Sequence, residues 1–439
     1  MARRNREAPF EVIWEGKYDG KCRRRRPVPQ QPVRLRSVER TGGPSPNRLV
    51  LGDNLGAGSA LLGELRGKVR LIYIDPPFNL GRDFQARIEV DGYATRDIPA
   101  YSDTWGPGEE SFAHMLWQRL ILAREMLTSD GSIFVHCNDH TSPMIRGLLD
   151  DVFGPKRFLN EIIWHYTGGG RSRNVFSNKH DTIFWYAKGP RNIFRIDAIR
   201  EPYKPTSGYA KSGIVSRAGK RYVPHPDGTP ADDVWDIPMV NPMAGERTCY
   251  PTQKPLRLLE RIIAVASNEG DVVVDLFAGS GTTAIAAEKL RRNWVVFERS
   301  LLGVSIARHR LLVEGARFAL MHDASLLRSS PKALANIEQQ NDTIALRDFS
   351  MSPEPLKRTG NARSASLVSN WGIGLRGSEG ELTLSSWAPD NQQLIFKTHQ
   401  KHQSFVRIVI YDVFGRRWEQ TAKKQGNFMV FESTVFATV

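Results

Sequence analysis

A short run of valines that leads into a glycine-rich turn constrains the fold of this chain more than any other segment. The run lies between Asp271 and Asp275, and the turn continues as Leu-Phe-Ala-Gly-Ser-Gly-Thr-Thr to Thr283. An unbroken β-branched run is typical of a strand that is buried on both faces, and small residues after it allow a tight turn into a helix. Because such strand–turn–helix units build parallel sheets with helices on both faces, the segment predicts an α/β fold.

The same alternation of apolar strands and amphipathic helices recurs between residues 49 and 325. It predicts strands over 49–51, 69–74, 132–135, 161–166, 182–187, 272–276 and 294–297. It predicts helices over 57–65, 111–127 and 253–267, and another from the glycine turn to residue 290. Strands that alternate with helices indicate a parallel, Rossmann-like sheet. Residues 49–325 are therefore expected to form the catalytic domain.

The rest of the chain differs in composition. Residues 1–48 hold thirteen Lys/Arg and five Asp/Glu, with interleaved prolines and a block of four arginines, and they predict a flexible or extended basic arm. Within the catalytic domain, residues 167–241 are rich in Gly, Ser, Arg and Pro and predict a loop-rich insert. Residues 326–375 are polar and predict a linker, and residues 376–439 predict a small, β-biased C-terminal extension of unknown role.

Whole-chain composition excludes several classes of protein. The chain has 61 Lys+Arg against 47 Asp+Glu, a net charge of +14, which is typical of proteins with a polyanionic partner such as DNA. No apolar run approaches the roughly 18 residues of a membrane helix, and no secretory signal opens the chain. The three cysteines form no CxxC pair, so a cytoplasmic protein without a metal site is expected.

The glycine-rich turn is the first candidate binding site. Gly279 and Gly281 allow a ligand to approach the backbone closely, and the following helix offers unpaired N–H groups at its N-terminus. Glu298 ends the next predicted strand, where an acidic side chain can bind two ribose hydroxyls. The spacing from Gly279 to Ala284 also satisfies the dinucleotide fingerprint, so an NAD-dependent oxidoreductase remains an alternative.

A second candidate site follows the strand predicted over 69–74 and consists of Asp75, Pro76, Pro77 and Phe78. The prolines fix the backbone, donate no hydrogen bonds and leave their carbonyl oxygens free to accept. A carboxylate beside such a carbonyl can accept both hydrogens of an exocyclic amino group, and the aromatic ring can stack on the base that carries it. The motif therefore predicts chemistry on the amino group of a flipped nucleobase.

Together, the two motifs resemble those of the beta-class amino-group DNA methyltransferases, which use S-adenosylmethionine. The similarity covers roughly residues 48–315 and extends to the segments Leu-Gly-Asp-Asn at 51–54 and Tyr-Pro-Thr-Gln-Lys-Pro-Leu at 250–256. It implies a Rossmann-like methyltransferase fold with circularly permuted motif order, in which the insert recognises the target sequence. Phe78 replaces the commoner tyrosine of this family, and Leu276 replaces its usual proline.

The resemblance also implies a role for each motif residue. Those implied to bind the target base are Asp75, Pro76, Pro77 and Phe78. Those implied to bind the cofactor are Asp53 at the adenine edge, Glu298 at the ribose, Asp275 at the amino group, Phe277, Gly279, Gly281, Thr282 and Thr283 around the methionine part, and Lys254 and Pro255 near the carboxylate. Those expected to contact DNA are Arg23, Arg24, Arg25, Arg26, Arg171 and Arg173.

We therefore expect a site-specific methyltransferase that acts on double-stranded DNA. Adenine N6 is favoured over cytosine N4 because the cytosine enzymes of this kind more often begin the motif with serine. A homodimer and a restriction-modification partner are left open, as are three alternatives: an N4-cytosine methyltransferase, an NAD-dependent oxidoreductase and a catalytically inactive DNA-binding module. Cys137 follows no Pro and fits no metal pattern, so we expect a buried structural cysteine, and we expect Trp164 to be a core aromatic.

Overall fold

The structure is a computed structural model, and it describes most of the chain from residue 12 to residue 437. The described ranges are 12–14, 17–19, 21–24, 32–86, 88–90, 93–94, 98–103, 109–168, 172–241, 243–326, 332–340, 343–351, 362–363, 368–376, 381–389, 394–395, 405–425, 428–430 and 434–437. Arg25, Arg26 and Arg171 lie outside these ranges. No helix within them is long and apolar enough to cross a membrane.

Strands and helices both occur along the chain up to residue 326, and the described elements after that residue are strands. The first are β1 (Leu35–Thr41), β2 (Arg48–Leu51), α1 (Asn54–Leu65), β3 (Val69–Ile74), β4 (Asp83–Ala86), β5 (Glu89–Val90), β6 (Tyr93–Ala94), β7 (Ile98–Ser102), α2 (Glu109–Met126), β8 (Leu127–Cys137), α3 (Ser142–Phe153), β9 (Phe158–His165) and β10 (His180–Ala187). There follow α4 (Gly208–Ser212), β11 (Ile214–Val215), β12 (Arg221–Tyr222), β13 (Val234–Asp236), α5 (Leu256–Ala266), β14 (Val272–Asp275), α6 (Thr282–Lys289), β15 (Asn293–Glu298), α7 (Leu301–Val313) and β16 (Ala319–Asp323). The C-terminal strands are β17 (Lys332–Gln340), β18 (Thr343–Met351), β19 (Ala362–Arg363), β20 (Val368–Arg376), β21 (Leu382–Pro389), β22 (Leu394–Ile395), β23 (Phe405–Asp412), β24 (Arg417–Gln425), β25 (Phe428–Val430) and β26 (Thr434–Ala437).

A mixed sheet forms the centre of the molecule, with strand order β1–β16–β2–β15–β14–β3–β8–β10–β9–β13. The strands from β16 to β8 are parallel, and β10 is antiparallel to both of its neighbours. Strand β14, which leads to the glycine turn, lies beside β3, which leads to Asp75, with Asp275 in register with Tyr73. Because parallel strands end at one edge of the sheet, both motifs open on the same cleft.

Helices cover both faces of this sheet. Helices α1, α2 and α3 pack on one face, and α5, α6 and α7 pack on the other. Val273 and Val274 of β14 point to opposite faces, and both are fully buried, which explains the unbroken run of valines. The expected α/β, Rossmann-like architecture is confirmed.

The ends of the chain differ from the sequence-based expectation. Residues 35–41, expected to belong to the basic arm, form β1 and pair with β16. The prediction of a linker over 326–375 is wrong where β17, β18 and β20 lie, because their buried apolar residues pack with residues of β23 and β24. That packing joins positions some 70 residues apart, which local polarity does not reveal.

A buried ion pair joins the beginning, the middle and the end of the chain. Arg308 of α7 donates to Glu39 of β1 over 2.7 Å, and both side chains are fully buried. Tyr411 of β23 donates to the other oxygen of Glu39 over 3.3 Å. Arg308 also pairs with the side chain of Asn370 in β20. These contacts therefore connect the C-terminal strands to the central sheet.

The described residues of the N-terminal arm between 12 and 24 pack on α2 and α3. Trp14 is 5% exposed and meets Trp117 edge to face, with 5.6 Å between ring centroids. Lys17 lies 2.9 Å from the carboxylate of Asp151, and Arg24 pairs with the other oxygen of the same carboxylate. These contacts hold the segment against the domain.

Candidate active site

A cleft of about 1580 Å³ opens at the carboxyl ends of the parallel strands. Its lining includes most of the residues that the motifs indicated, namely Asp53, Asp75, Pro76, Pro77, Phe78, Lys254, Asp275, Phe277, Gly279, Thr282, Thr283 and Glu298. Gly281 and Pro255 lie just behind the lining, as the residues that precede α6 and α5. The structure thus gathers the two motifs, some 200 residues apart in sequence, around one space.

The glycine turn depends on backbone conformations that favour glycine. The φ angle is 51° at Gly279 and 80° at Gly281. A Cβ atom on Gly279 would lie 3.0 Å from the ring of Tyr250, and one on Gly281 would lie 2.7 Å from the side chain of Ala307. Arg310 of α7 donates to the Ser280 carbonyl over 2.8 Å. Helix α7 therefore contacts one side of the turn, and Gly279 and Ser280 line the cleft on the other.

Two buried carboxylates flank this turn. Asp275 accepts hydrogen bonds from the Phe277 amide, over 2.8 Å, and from the Thr283 hydroxyl. Glu298 accepts from the Gly279 amide over 2.7 Å. Burial raises the pKa of both carboxyl groups to about 7, although these hydrogen bonds oppose the rise. Groups of this kind can accept hydrogen bonds from an ammonium group or from hydroxyls of a ligand.

Asp53 reaches the cleft, but its carboxylate already has partners. Oδ1 caps α1 by accepting from the Leu55 and Gly56 amides, at 3.0 and 3.3 Å. Oδ2 accepts from Arg119 of α2 over 2.9 Å. The neighbouring Asn54 donates to the Leu276 carbonyl over 2.6 Å. Asp53 therefore helps to fix the start of α1 against the glycine turn.

Asp75 has one carboxylate oxygen in use and one without a partner. Oδ2 accepts from Lys254 Nζ over 2.6 Å, whereas Oδ1 is buried and makes no hydrogen bond with any described residue. A buried acceptor without a partner costs about 1–3 kcal/mol, so Oδ1 favours a donor that enters the cleft. The ring of Phe78 lies 5.4 Å from the same ammonium group. Lys254 thus lies at the Asp-Pro-Pro-Phe motif, although the resemblance implied a place near the cofactor carboxylate.

Two residues that the sequence analysis did not single out hold these groups in place. Asp103 is fully buried and accepts from the Asn79 and Leu80 amides, at 2.7 and 2.9 Å, immediately after the Asp-Pro-Pro-Phe motif. Gln253 accepts from the Thr248 amide over 2.8 Å and so shapes the loop that carries Lys254. Gln253 lies within the segment that carried the resemblance, whereas no local pattern marks Asp103.

A buried polar network lies behind Phe78. His136 bonds to the Tyr73 hydroxyl through Nδ1, over 3.0 Å, and to Asp181 through Nε2, over 3.1 Å. Burial alone would raise the pKa of Asp181, but His136, Lys254 and the Tyr166 hydroxyl together lower it. His136 also lies 5.9 Å from Phe78, measured between ring centroids. The network supports the position of that ring.

An aromatic layer lines the other side of the cleft. Phe84 and Tyr101 are stacked 4.8 Å apart, and Tyr101 and Tyr250 are stacked 6.3 Å apart. The Tyr101 hydroxyl lies 3.2 Å from that of Thr252. Phe84 and Tyr101 belong to a pair of short strands between β3 and α2 that the sequence analysis did not predict. The cleft therefore offers flat apolar surfaces beside its carboxylates.

Cys137 and Trp164 are both buried, as expected. Cys137 is fully buried, and burial raises the pKa of its thiol well above the usual value, which disfavours the reactive thiolate. Trp164 is 2% exposed, belongs to the core and donates to the Ile237 carbonyl over 2.7 Å, and the same residue also contributes to the lining of the cleft.

The arginines expected to contact DNA occupy different settings. Arg23 pairs with Asp19, and Arg24 shares the carboxylate of Asp151 with Lys17, so both arginines have acidic partners within the chain. Arg173 is exposed in the insert. The adjacent Val175 and Phe176 are 73% and 100% exposed, which is unusual for apolar side chains without a partner surface.

Comparison with known proteins gives consistent matches. The sequence profile of the DNA methylase family, N6_N4_Mtase, matches residues 69–308, which is more than half of the chain and includes both motifs. The chain is 27% identical to the Type II methyltransferase M.EcaI of Enterobacter cloacae over 370 residues, covering 71% of this chain and 79% of that protein. It is 29% identical to the DNA adenine methyltransferase YhdJ of Escherichia coli (strain K12) over 232 residues, covering 52% and 71%. The crystal structure of an M1.HpyAVI–SAM complex is 20% identical, covers 60% of this chain and 98% of that chain, and has a TM-score of 0.40.

Proposed function

This chain belongs to the DNA methylase family, and from that premise we propose that it methylates the exocyclic amino group of a base in DNA. The methyl donor is S-adenosylmethionine, and the preferred target is N6 of adenine. The observation that carries the proposal is the buried, unpartnered Oδ1 of Asp75, which lies in the same cleft as the glycine turn. A donor such as an amino group would satisfy this oxygen.

The residues around the glycine turn fit the cofactor by their chemistry. In our proposal Asp275 accepts from its ammonium group and Glu298 from its ribose hydroxyls. Phe277, Gly279, Thr282 and Thr283 enclose the methionine part, with Gly281 and Pro255 shaping the turn and the start of α5. Asp53 contributes by positioning the start of α1. When bound, S-adenosylmethionine supplies an electrophilic methyl group.

The Asp-Pro-Pro-Phe motif would hold the target base. Asp75 Oδ1 and the Pro76 carbonyl accept the two amine hydrogens, which increases the electron density on the amine nitrogen, while Pro77 keeps the backbone rigid. The ring of Phe78 supports the plane of the base. The amine itself is the nucleophile, so no residue of the chain bonds covalently to the base. Catalysis then comes mainly from positioning and electrostatics.

Lys254 would act on Asp75 rather than on the cofactor. Its ammonium group balances the charge of a carboxylate that is mostly buried, with 18% of the Asp75 side chain exposed. It also fixes the rotation of that carboxylate by holding Oδ2, which in our proposal leaves Oδ1 to accept from the amine. We therefore propose that Lys254 is a positioning residue.

We also propose that the substrate is duplex DNA in the bacterial cytoplasm. The net charge of +14, the exposed Arg173 and the exposed apolar residues of the insert support contact with DNA. Arg171, Arg25 and Arg26 remain candidates for phosphate contact on sequence grounds. We also propose a restriction-modification role and a homodimer. An endonuclease that cuts the same sequence only when it is unmethylated would support the first, and the molecular mass of the protein in solution would test the second.

The direct test is analysis of DNA that the protein has modified. Purified protein is incubated with unmethylated DNA of mixed sequence and S-adenosylmethionine, and the nucleosides are then separated and identified by mass spectrometry. We expect N6-methyladenine, whereas N4-methylcytosine would establish the alternative target. Asp75→Ala should lower the rate by about 10²-fold or more with little change in cofactor affinity, because Asp75 contacts the amine.

The control for that variant is Glu269→Ala, which removes an exposed carboxylate outside the cleft and outside the insert. It should leave the rate unchanged. Activity of Asp75→Ala within a few-fold of the wild type would contradict the mechanism. Binding of NAD in place of S-adenosylmethionine, measured by calorimetry, would instead support the oxidoreductase alternative.

A further inference from the structure

The turn between β23 and β24 lies against the start of α7, next to the cofactor cleft. Gly415 has a φ angle of 86°. A Cβ atom there would lie 2.7 Å from backbone atoms of Leu301 and Leu302. Helix α7 begins directly after β15, which ends at Glu298, the carboxylate proposed to bind ribose. The C-terminal strands therefore reach the catalytic domain at the cofactor end of the cleft.

Phe414 is the residue of this turn that lines the cleft. It is 5% exposed and packs in an apolar cluster that includes Leu302 and Ile98, which also line the cleft. Arg299 and Leu301 complete this end of the lining. Beyond the ribose carboxylate, the surface is thus mainly apolar and includes one aromatic ring that comes from outside the catalytic domain.

The turn is held in one shape by Asp412. Its Oδ1 accepts from the Phe414 and Arg416 amides, at 2.9 and 3.0 Å. Its Oδ2 accepts from the side chains of Arg416 and Trp418, at 2.7 and 2.9 Å. Asp412 is fully buried. A rigid turn can present an aromatic ring at a fixed place without an entropic penalty on binding.

We propose that Phe414 forms part of the cofactor-binding pocket, as an apolar wall for the adenosine end of S-adenosylmethionine. The C-terminal extension is then a component of the cofactor site and not a separate module. This inference rests on the proposed function, because the ligand is the methyl donor of that proposal. The part of the ring that reaches the cleft is apolar, and the adenine ring is the part of the cofactor that such a surface suits.

The test is calorimetry with S-adenosylmethionine and with S-adenosylhomocysteine on Phe414→Ala. Because both ligands carry the adenosine end, we expect both dissociation constants to rise by about tenfold. Phe349→Ala is the matched control, since Phe349 is a fully buried member of the same cluster but does not line the cleft. It should lower stability without changing either dissociation constant. Unchanged affinity in Phe414→Ala would overturn the inference.

A measurement on the wild-type protein covers the case in which Phe414→Ala does not fold. Hydrogen exchange is followed by mass spectrometry with and without S-adenosylmethionine. We expect the ligand to slow exchange in the turn over 411–417 and to leave strand β18 unchanged, and equal exchange in the turn would overturn the inference. Absence of any binding to the wild type would instead reject the proposed function, so the two failures are distinguishable.

Discussion

At the scale of single residues, partners distinguish the acidic side chains of the cleft. Asp75 has one oxygen paired with an ammonium group and one that is free to accept. Asp275 and Glu298 instead accept from neighbouring amides, and Asp53 caps a helix. Four carboxylates that look similar in the sequence are therefore suited to different parts in binding and catalysis.

Lys254→Met tests whether that lysine acts on Asp75 or on the cofactor. If it positions Asp75, kcat should fall by about 10-fold or more while the dissociation constant for S-adenosylmethionine stays within about twofold. If it contacts the cofactor carboxylate, the dissociation constant should rise instead. Steady-state kinetics and calorimetry separate the two outcomes. Lys68→Met, at an exposed position outside the insert and the cleft, is the matched control.

The affinity for S-adenosylmethionine should increase between pH 6 and pH 8. Because the pKa of Asp275 and that of Glu298 are about 7, both are largely protonated at pH 6 and ionised at pH 8. An ammonium group binds the ionised form of Asp275, so binding below pH 7 should release protons. Each group should contribute up to about tenfold per pH unit below its pKa. Calorimetry in two buffers of different ionisation enthalpy measures the release, which Asp275→Asn should reduce. An affinity for S-adenosylmethionine that does not depend on pH would contradict the assignment of Asp275 to the ammonium group.

At the scale of elements, the strands and turns that carry the site could be predicted because their signals are local. The valine run of β14 and the apolar run of β3 both end in motifs of fixed chemistry, and both strands occur where expected. Strand β1 could not be predicted, because its partners β16 and β21 are distant in sequence. Strand β17 was missed because its buried residues pack with those of β23 and β24, far along the chain. Asp103 and Phe414 were missed for a similar reason: each reaches the site only through long-range folding.

Gly279→Val tests the glycine turn as a unit. The positive φ angle and the 3.0 Å approach of Tyr250 leave no room for a branched side chain, so cofactor binding should fail while circular dichroism is unchanged. Gly63→Val is the control, because Gly63 lies on α1 with open space around its Cα. Calorimetry gives the affinities. Full affinity in Gly279→Val would place the cofactor elsewhere.

At the scale of the whole molecule, the exposed arginines of the arm and of the insert have different surroundings: Arg24 shares the carboxylate of Asp151 with Lys17, whereas Arg173 lies in the insert. Because Arg24 is already paired with Asp151, Arg24→Ala should change the slope of log affinity for DNA against log salt very little. Loss of a phosphate contact through Arg173→Ala should flatten that slope by about 0.9. Salt titrations on duplexes of scrambled sequence measure both. A larger change for Arg24→Ala than for Arg173→Ala would assign the phosphate contact to the arm.

The ion pair between Glu39 and Arg308 has a consequence for how this protein can be divided. The fragment 69–308 matches the family profile, yet it contains Arg308 without Glu39 and without Tyr411. A buried charge that loses its partner costs about 3–5 kcal/mol, a large part of the stability of a typical domain. In the full-length chain we expect loss of Glu39 to have a cost on this scale, because the neighbouring strands would still bury Arg308. The segment by which relatives are recognised is therefore smaller than the unit that this ion pair joins.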